Sequence, residues 1–325
     1  MTNSSSPLLR SLLAVPATSA RFLEKAAQSS ADAVFIDLED AVIPDLKVKA
    51  RANAIAALNQ LDWGRRSISV RVNGLETTWG CRDILDVVEA CPRLDNVLLP
   101  KCESVEDLHA VAVMAGSAEQ ASPRERPVGI MGLIETARGV ANVEAISRAG
   151  GRLNALVFGG GDYQLDLGSF QRSVGAPSPD YLVLTDDDGK GARQRHWNDL
   201  WHFSMARIAN ACRAYGLMPI DGPFSVIGDP EGLRAATRRA GALGFEGKMA
   251  IHPSQIDLAN EVFTPPPAEV GRARRILAAL EEAARDGRGA AQLDGKMIDA
   301  ASARMAQNVV DTALAIEARE MSSRA

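Results

Sequence analysis

Eight short apolar runs, separated by alanine-rich stretches of helical period, constrain the fold of this chain more than any other feature. The runs are SLLAV (11–15), DAVFIDLE (32–39), SISVRV (67–72), NVLLP (96–100), VGIMGLIE (128–135), NALVFGG (154–160), LMPID (217–221) and GKMAIH (247–252). Helical patterns lie between most of them, near 19–29, 46–59, 81–90, 104–116, 138–149, 199–215 and 230–242, and another follows at 267–285. Regular strand–helix alternation is the mark of a parallel sheet. The runs are apolar throughout rather than at every second residue, so each strand is covered on both faces. Eight such units predict a closed (β/α)8 TIM barrel, a fold of roughly 250 residues. An open doubly wound sheet normally carries a GxGxxG turn after its first strand, and PATSA stands there instead.

Two segments break the alternation. Residues 171–197 are polar, with Gly, Pro and an Asp triplet, and so long a connection is usually functional or mobile. The tail from about 286 reads as a Gly-rich hinge, a short loop or hairpin, and a final helix near 300–318. The expected organisation is a catalytic barrel over 1–285 and a C-terminal lid over 286–325.

The bulk properties narrow the function classes. With a net charge of −5 and no strong basic patch, the chain is a poor partner for nucleic acid. The densest basic run, RARRIL from Arg272, lies on a helical pattern and reads as a solvated face. Cys81, Cys91, Cys102 and Cys212 form no CxxC and no zinc-finger spacing, which fits reduced thiols. No apolar run reaches the ~18 residues that span a bilayer, and the start lacks a signal-peptide pattern. A cytoplasmic protein without a membrane partner is expected.

In a (β/α)8 barrel the active site forms at the C-terminal ends of the strands. Here those ends carry Asp37, Glu39 and Asp40, then Arg71 and Asn73, then Lys101, Glu135, Asp162, Asp221 and His252. One charged residue at a strand end is often just the first solvated loop residue, but a whole rim of them is harder to dismiss. So many carboxylates in one cleft repel one another unless a cation is present. Oxygen-only ligands suit Mg²⁺, which commonly takes one or two carboxylates with water and substrate filling the rest. Glu135 and Asp162, after neighbouring strands five and six, are the best pair. Gly159–Gly161 in FGGGD look at first like a phosphate cradle. The Asp that follows argues against this, and the glycines then either clear room for metal and substrate or form a plain turn. There is no GxSxG nucleophile elbow. His109 reads as surface, and His196 and His202 do not share a helical face. His252 either touches a substrate or hydrogen-bonds locally beside Pro253.

These residues match a known pattern. RSLLAVPATSARFLEKA (10–26), DAVFIDLEDAV (32–42), VRVNG (70–74), LLPKCES (98–104), GLIETARGV (132–140), FGGGDYQLDLG (158–168), PIDGPF (219–224), GFEGKMAIHPSQI (244–256) and LDGKMIDAA (293–301) follow in family order over nearly the whole chain. The sequence resembles the citrate lyase β-subunit-like (HpcH/HpaI aldolase/citrate lyase) family of barrel enzymes, and within it the malyl-CoA/β-methylmalyl-CoA lyases. The long tail with LDGKMID and the long 171–197 connection favour that branch.

The resemblance implies a reversible carbon–carbon lyase. Malyl-CoA, or its β-methyl analogue, would give acetyl-CoA or propionyl-CoA and glyoxylate. It implies Glu135 and Asp162 as ligands of Mg²⁺, with Mn²⁺ also acceptable, and Glu39 and Asp40 as acids behind them. It implies Arg71 on the thioester or enolate oxygen. Arg21, Lys25, Ile251 and His252 would belong to the CoA-binding face. Asp299, or in second place Asp294, would be the acid of a lid acting on a neighbouring subunit of a homo-oligomer, a trimer or hexamer. A malyl-CoA thioesterase, a citrate-lyase-like enzyme acting on another 3-hydroxyacyl-CoA and a non-catalytic acyl-CoA-binding subunit are the alternatives.

Overall fold

In the computed structural model, residues 8–169, 173–178 and 180–322 are described. They fall into two compact units, Leu9–Asn260 and the segment from Glu261 on. Among the described residues no helix is long and apolar enough to cross a membrane.

The first unit is a closed parallel barrel. Its strands are β1 (Ser11–Pro16), β2 (Ala33–Asp37), β3 (Ser67–Arg71), β4 (Asn96–Leu99), β5 (Gly129–Ile134), β6 (Leu153–Phe158), β9 (Met218–Asp221) and β10 (Gly247–Ala250). Each pairs with the next, and β10 returns to β1 through Ser11↔Lys248, Leu12↔Met249 and Leu13↔Ala250. The strands β7 (Leu182–Leu184) and β8 (Arg195–Trp197) form a separate antiparallel ribbon.

The continuous apolar runs are explained by two cores on opposite sides of the sheet. Ala33 and Phe35 of β2, Met131 and Leu133 of β5, and Ala155 and Val157 of β6 fill the barrel interior. Val34 and Ile36, Ile130 and Ile134, and Leu156 and Phe158 point outward into the layer beneath the helices. Period-2 alternation is present, but both faces are buried, so hydropathy alone shows no alternation.

Six barrel strands lie within their expected runs, while β1 runs on to Pro16 and β6 starts at Leu153, each one residue outside, and the larger differences have local causes. The expected helix at 138–149 is split into Ala137–Ala141 and Val143–Arg148 at Asn142, whose side chain donates to the Glu103 carbonyl at 2.9 Å. β6 stops at Phe158 because Gly160 already begins a helix, Gly160–Asp166. β10 stops at Ala250 because the Ile251 N–H turns to the Gln255 side chain at 2.9 Å. The long connection, which breaks the strand–helix alternation, holds the β7–β8 ribbon, whose strands have only three residues each. Part of that connection, residues 171, 172 and 179, lies outside the described residues.

The second unit contains helix Pro267–Arg285, an antiparallel ribbon of β11 (Ala291–Leu293) and β12 (Lys296–Ile298), and helix Ala300–Ser322. The two helices pack together, burying Val270, Ala273, Ala306, Ala313 and Ile316. Asp294 and Gly295 both have positive φ, +49° and +74°, the backbone that a two-residue hairpin turn requires.

One ion pair lies wholly inside the barrel unit. Lys248 Nζ is 2.5 Å from Asp221 Oδ2 and 2.9 Å from the Gly222 carbonyl, with both side chains almost fully buried. Removing one partner of a buried pair strands the other charge, at a cost of about 3–5 kcal/mol, whereas apolar replacement of both is far milder. Asp221→Ala should therefore lower the urea midpoint strongly, and Asp221→Leu/Lys248→Met should unfold at higher urea than Asp221→Ala.

Candidate active site

The site begins with the register of two neighbouring strands. Asp37 ends β2 and Arg71 ends β3, and the two are direct partners in the ladder. Their side chains meet in a bidentate contact, Arg71 Nε to Asp37 Oδ1 at 2.8 Å and Nη2 to Oδ2 at 2.6 Å. A fork bound at two points has a fixed plane. Asp37 also accepts the Glu39 N–H at 2.9 Å, which starts the turn after β2. Lys47 closes that turn from behind, donating to the carbonyls of Leu38 at 3.0 Å and Glu39 at 2.8 Å.

Glu39 is thus delivered, buried, beside Arg71. Its Oε1 accepts from Lys101 Nζ at 2.8 Å. Its Oε2 lies 2.9 Å from Arg71 Nη1 but without hydrogen-bond alignment, so this buried oxygen has no hydrogen-bond partner. Asp40 Oδ2 is 3.8 Å from the same nitrogen, and its side chain is largely exposed.

Glu135 follows β5 and is 2% exposed. Its Oε1 accepts the Lys101 backbone N–H at 2.9 Å. Gly159, at the end of the neighbouring β6, passes close against it. A Cβ there would lie 2.4 Å from Glu135 Cβ and 2.7 Å from Oε2, so only glycine fits. The helix Gly160–Asp166 then places Asp162 in its first turn, where an acid suits the positive helix end. Tyr163 anchors this helix by a hydroxyl bond from Ser204 at 2.8 Å and an edge contact with Phe158.

These groups face a cavity of about 450 Å³. Asp37, Asp40, Arg71, Glu135, Asp162, Gly159 and Gly161 line its polar side, and Ala14, Phe35, Pro223, Met249 and Ile251 its apolar side. Burial, then the nearby Asp162 and Glu39 charges, hold the Glu135 carboxyl well above the usual glutamate range, against weaker pulls from the Lys101 N–H and Arg71. Burial also raises Glu39, against the pull of Arg71 and Lys101.

Among the described residues, Asp37, Glu39 and Asp40 pair with Arg71 and Lys101, while Glu135 and Asp162 have no ion-pair partner. A pocket so loaded with carboxylates repels an anionic substrate unless a cation is added. Among the described residues no three His, Cys, Asp or Glu side chains converge on one point. Two carboxylates with open space beside them nevertheless fit Mg²⁺, whose remaining positions are filled by water and substrate. The buried Glu135, with the Gly159 cradle pressed against Oε2 and Asp162 across from it, passes that test.

The structure thus brings together Glu135, Asp162, Arg71, Glu39, Asp40 and Ile251. Arg21 and Lys25 are exposed on helix Ala20–Ala27 and do not line the cavity. His252 caps the following turn, its Nδ1 accepting the Ser254 N–H at 3.2 Å. In the second unit, Asp294 pairs with Arg275 at 2.8 Å. Asp299 is exposed and caps the last helix, accepting from the Ala301 and Ser302 N–H groups at 3.0 and 3.1 Å. Those bonds, the Ser302 N–H first, hold its carboxyl below the usual aspartate range. Asp37 and Lys101 stood on the sequence-based rim without a role, and Gly159 was weighed only as clearing room or as a plain turn. The structure gives Asp37 the fork on Arg71, Lys101 the contacts to Glu135 and Glu39, and Gly159 the close packing on Glu135.

Comparison with known proteins places the chain in a family. The profile of the HpcH/HpaI aldolase/citrate lyase family matches residues 10–253. The chain is 43% identical over 304 residues to an L-malyl-CoA/beta-methylmalyl-CoA lyase of Cereibacter sphaeroides, covering 93% of this chain and 94% of that protein. It is 38% identical over 290 residues to a (3S)-malyl-CoA thioesterase of the same organism, covering 89% of each. The crystal structure of CitE from Mycobacterium tuberculosis in complex with magnesium, acetoacetate and coenzyme A superposes with a TM-score of 0.70 at 28% identity, over 96% of this chain and 99% of that one. The chain belongs to the HpcH/HpaI aldolase/citrate lyase family.

The raised Glu135 pKa gives a signed pH dependence. A carboxyl whose folded pKa lies above its unfolded value makes the native state bind extra protons, so the metal-free protein loses stability as pH rises above the ordinary glutamate range. A cation needs the ionised form, so its affinity rises over that same window. Saturating Mg²⁺, at about 100 times Kd, should raise Tm by roughly 4 °C near pH 8 and by much less near pH 5. Differential scanning fluorimetry of Glu135→Gln should show no Mg²⁺ shift and a flatter metal-free pH profile.

Proposed function

We propose that this family member is a Mg²⁺-dependent, reversible carbon–carbon lyase that cleaves malyl-CoA or β-methylmalyl-CoA to glyoxylate and acetyl-CoA or propionyl-CoA. The observation that carries this reading is the convergence of Glu135, Asp162 and a bidentately held Arg71 on one half-apolar cavity. The 43% identity to a lyase of these substrates, over nearly the full length of both chains, supports it.

Glu135 and Asp162 would hold the ion. Mg²⁺, for which Mn²⁺ is a chemical substitute, supplies Lewis-acid polarisation of a carbonyl oxygen and neutralises the carboxylate of the oxo acid. Gly159 lets Glu135 pack directly against the β6 end, so that its carboxylate borders the cavity in which a small oxo acid would fit. Arg71, its plane fixed by Asp37, directs its remaining N–H groups at the thioester oxygen, where negative charge develops as the bond breaks. Phe35, Met249 and Ala14 provide dry wall against which the acyl carbon lies. In the cleavage direction the hydroxyl loses its proton to water as the carbon–carbon bond breaks, and an acid returns one to that carbon; in condensation the conjugate base removes the carbon's proton and the new hydroxyl gains one.

We assign that role to Asp299, with Asp294 second. Asp294 is committed to Arg275, whereas Asp299 is engaged only by the first turn of its own helix. The tail would act as a lid on a neighbouring subunit of a homo-oligomer, a trimer or hexamer, excluding water that protonates or hydrolyses the intermediate. Arg21, Lys25, Ile251 and His252 would form the mouth that receives CoA.

A thioesterase is the second reading, favoured by the 38% identical relative with that activity. Incubation with malyl-CoA, Mg²⁺ and phenylhydrazine separates the two. The lyase releases acetyl-CoA and an equal amount of glyoxylate phenylhydrazone, read by absorbance. Malate and free CoA without hydrazone would establish the thioesterase instead. Arg71→Lys should lower kcat by about 10²–10³-fold, because an ammonium cannot reproduce the two-point contact with Asp37.

A further inference from the structure

Lys101 has a backbone that its side chain disfavours. Its φ is +46°, and among the described residues the only other non-glycine with positive φ is Asp294, in the hairpin turn of the second unit. A lone left-handed residue after a strand is the usual place for glycine, and a strained non-glycine there points to a function for the strain or the side chain. Lys101 uses both. The left-handed turn aims its N–H at Glu135 Oε1, 2.9 Å away, while the next residue, Cys102, resumes bonding to the β5 backbone at Leu133. The side chain reaches the other way, Nζ lying 2.8 Å from Glu39 Oε1. One residue just after β4 thereby ties a carboxylate after β2 to a carboxylate after β5.

The remaining contacts of Glu39 show what the tether does. Asp37 holds its N–H and Lys47 its carbonyl. The carboxylate itself has one aligned hydrogen bond, from Lys101, while its Oε2 sits 2.9 Å from Arg71 Nη1 in poor alignment. A small rotation of Glu39 would convert that contact into a second fork on Arg71 and use up N–H groups that otherwise face the cavity.

We propose that Lys101 is a positioning residue which, through its strained backbone and its ammonium, holds Glu135 in place for the cation and keeps Glu39 from capturing Arg71. The second half rests on the reading of Arg71 as the donor to the thioester oxygen. The first half does not.

Two variants separate the parts. Lys101→Met removes the tether and keeps the strained Cα. Lys101→Gly removes the tether and relieves the strain, so the N–H to Glu135 persists. Mg²⁺ titration calorimetry without substrate should give Lys101→Gly an affinity within about twofold of the unmodified enzyme, and Lys101→Met an affinity about tenfold weaker. In the cleavage assay both should lose about 10²-fold in kcat, with a much smaller change in KM for the thioester. On a Glu39→Gln background the additional loss from Lys101→Gly should fall to about threefold or less, since the competing charge is gone. Equal Mg²⁺ affinity in all three proteins would overturn the backbone role. Undiminished kcat in Lys101→Gly, or an undiminished penalty on the Glu39→Gln background, would overturn the Glu39 role. An unmodified enzyme that cleaves no malyl-CoA defeats the lyase reading, while the calorimetry still decides the backbone role.

Discussion

The pairing of Asp37 with Arg71 is the contact on which the rest of the pocket depends. It is a product of sheet register, because the two residues sit opposite each other at the ends of β2 and β3. From it follow the plane of the guanidinium, the direction of the turn after β2 and the delivery of Glu39 beside the same arginine. A one-residue slip of either strand would turn one of the two side chains to the wrong face of the sheet. The apolar layers that fix the register, Phe35 inside and Ile36 outside among them, are therefore as much a part of the active site as the charges.

The second governing fact is an excess of negative charge in a small dry space. Five carboxylates border the region held by Arg71 and Lys101, and the most buried, Glu135, is pushed toward its neutral form. Such an arrangement is poorly stable by itself and well suited to an incoming divalent ion.

Much of this was legible before any coordinates. The barrel could be read because each strand is apolar on both faces, and the rim could be read because a (β/α)8 topology sends every strand end to one side. Glu135, Asp162 and Arg71 stood out as charges directly after long apolar runs. What stayed hidden depended on backbone conformation or on distance. The positive φ of Lys101 has no signature in the letters PKC, since lysine there resembles any solvated loop residue. Asp37 looked like one more acid in DLED, and only register singles it out. The β7–β8 ribbon escaped notice because three-residue strands lie below the reach of periodicity. The break at Asn142 depends on a partner carbonyl some forty positions earlier in the chain.

The cap made by Asp299 has a consequence for the chemistry of the tail. In the role proposed for Asp299, the carboxylate whose Oδ1 accepts from Ala301 and Ser302 would have to accept a proton from carbon. While those bonds persist the carboxylate is well solvated by its own helix and is a feeble base. It gains proton affinity only as the first turn of Ala300–Ser322 lets go. Basicity and local helix order are thus set against each other in one side chain. In that proposed role, a tail of this design would be inert in solution and would become reactive only where a docking surface took over the job of ending the helix.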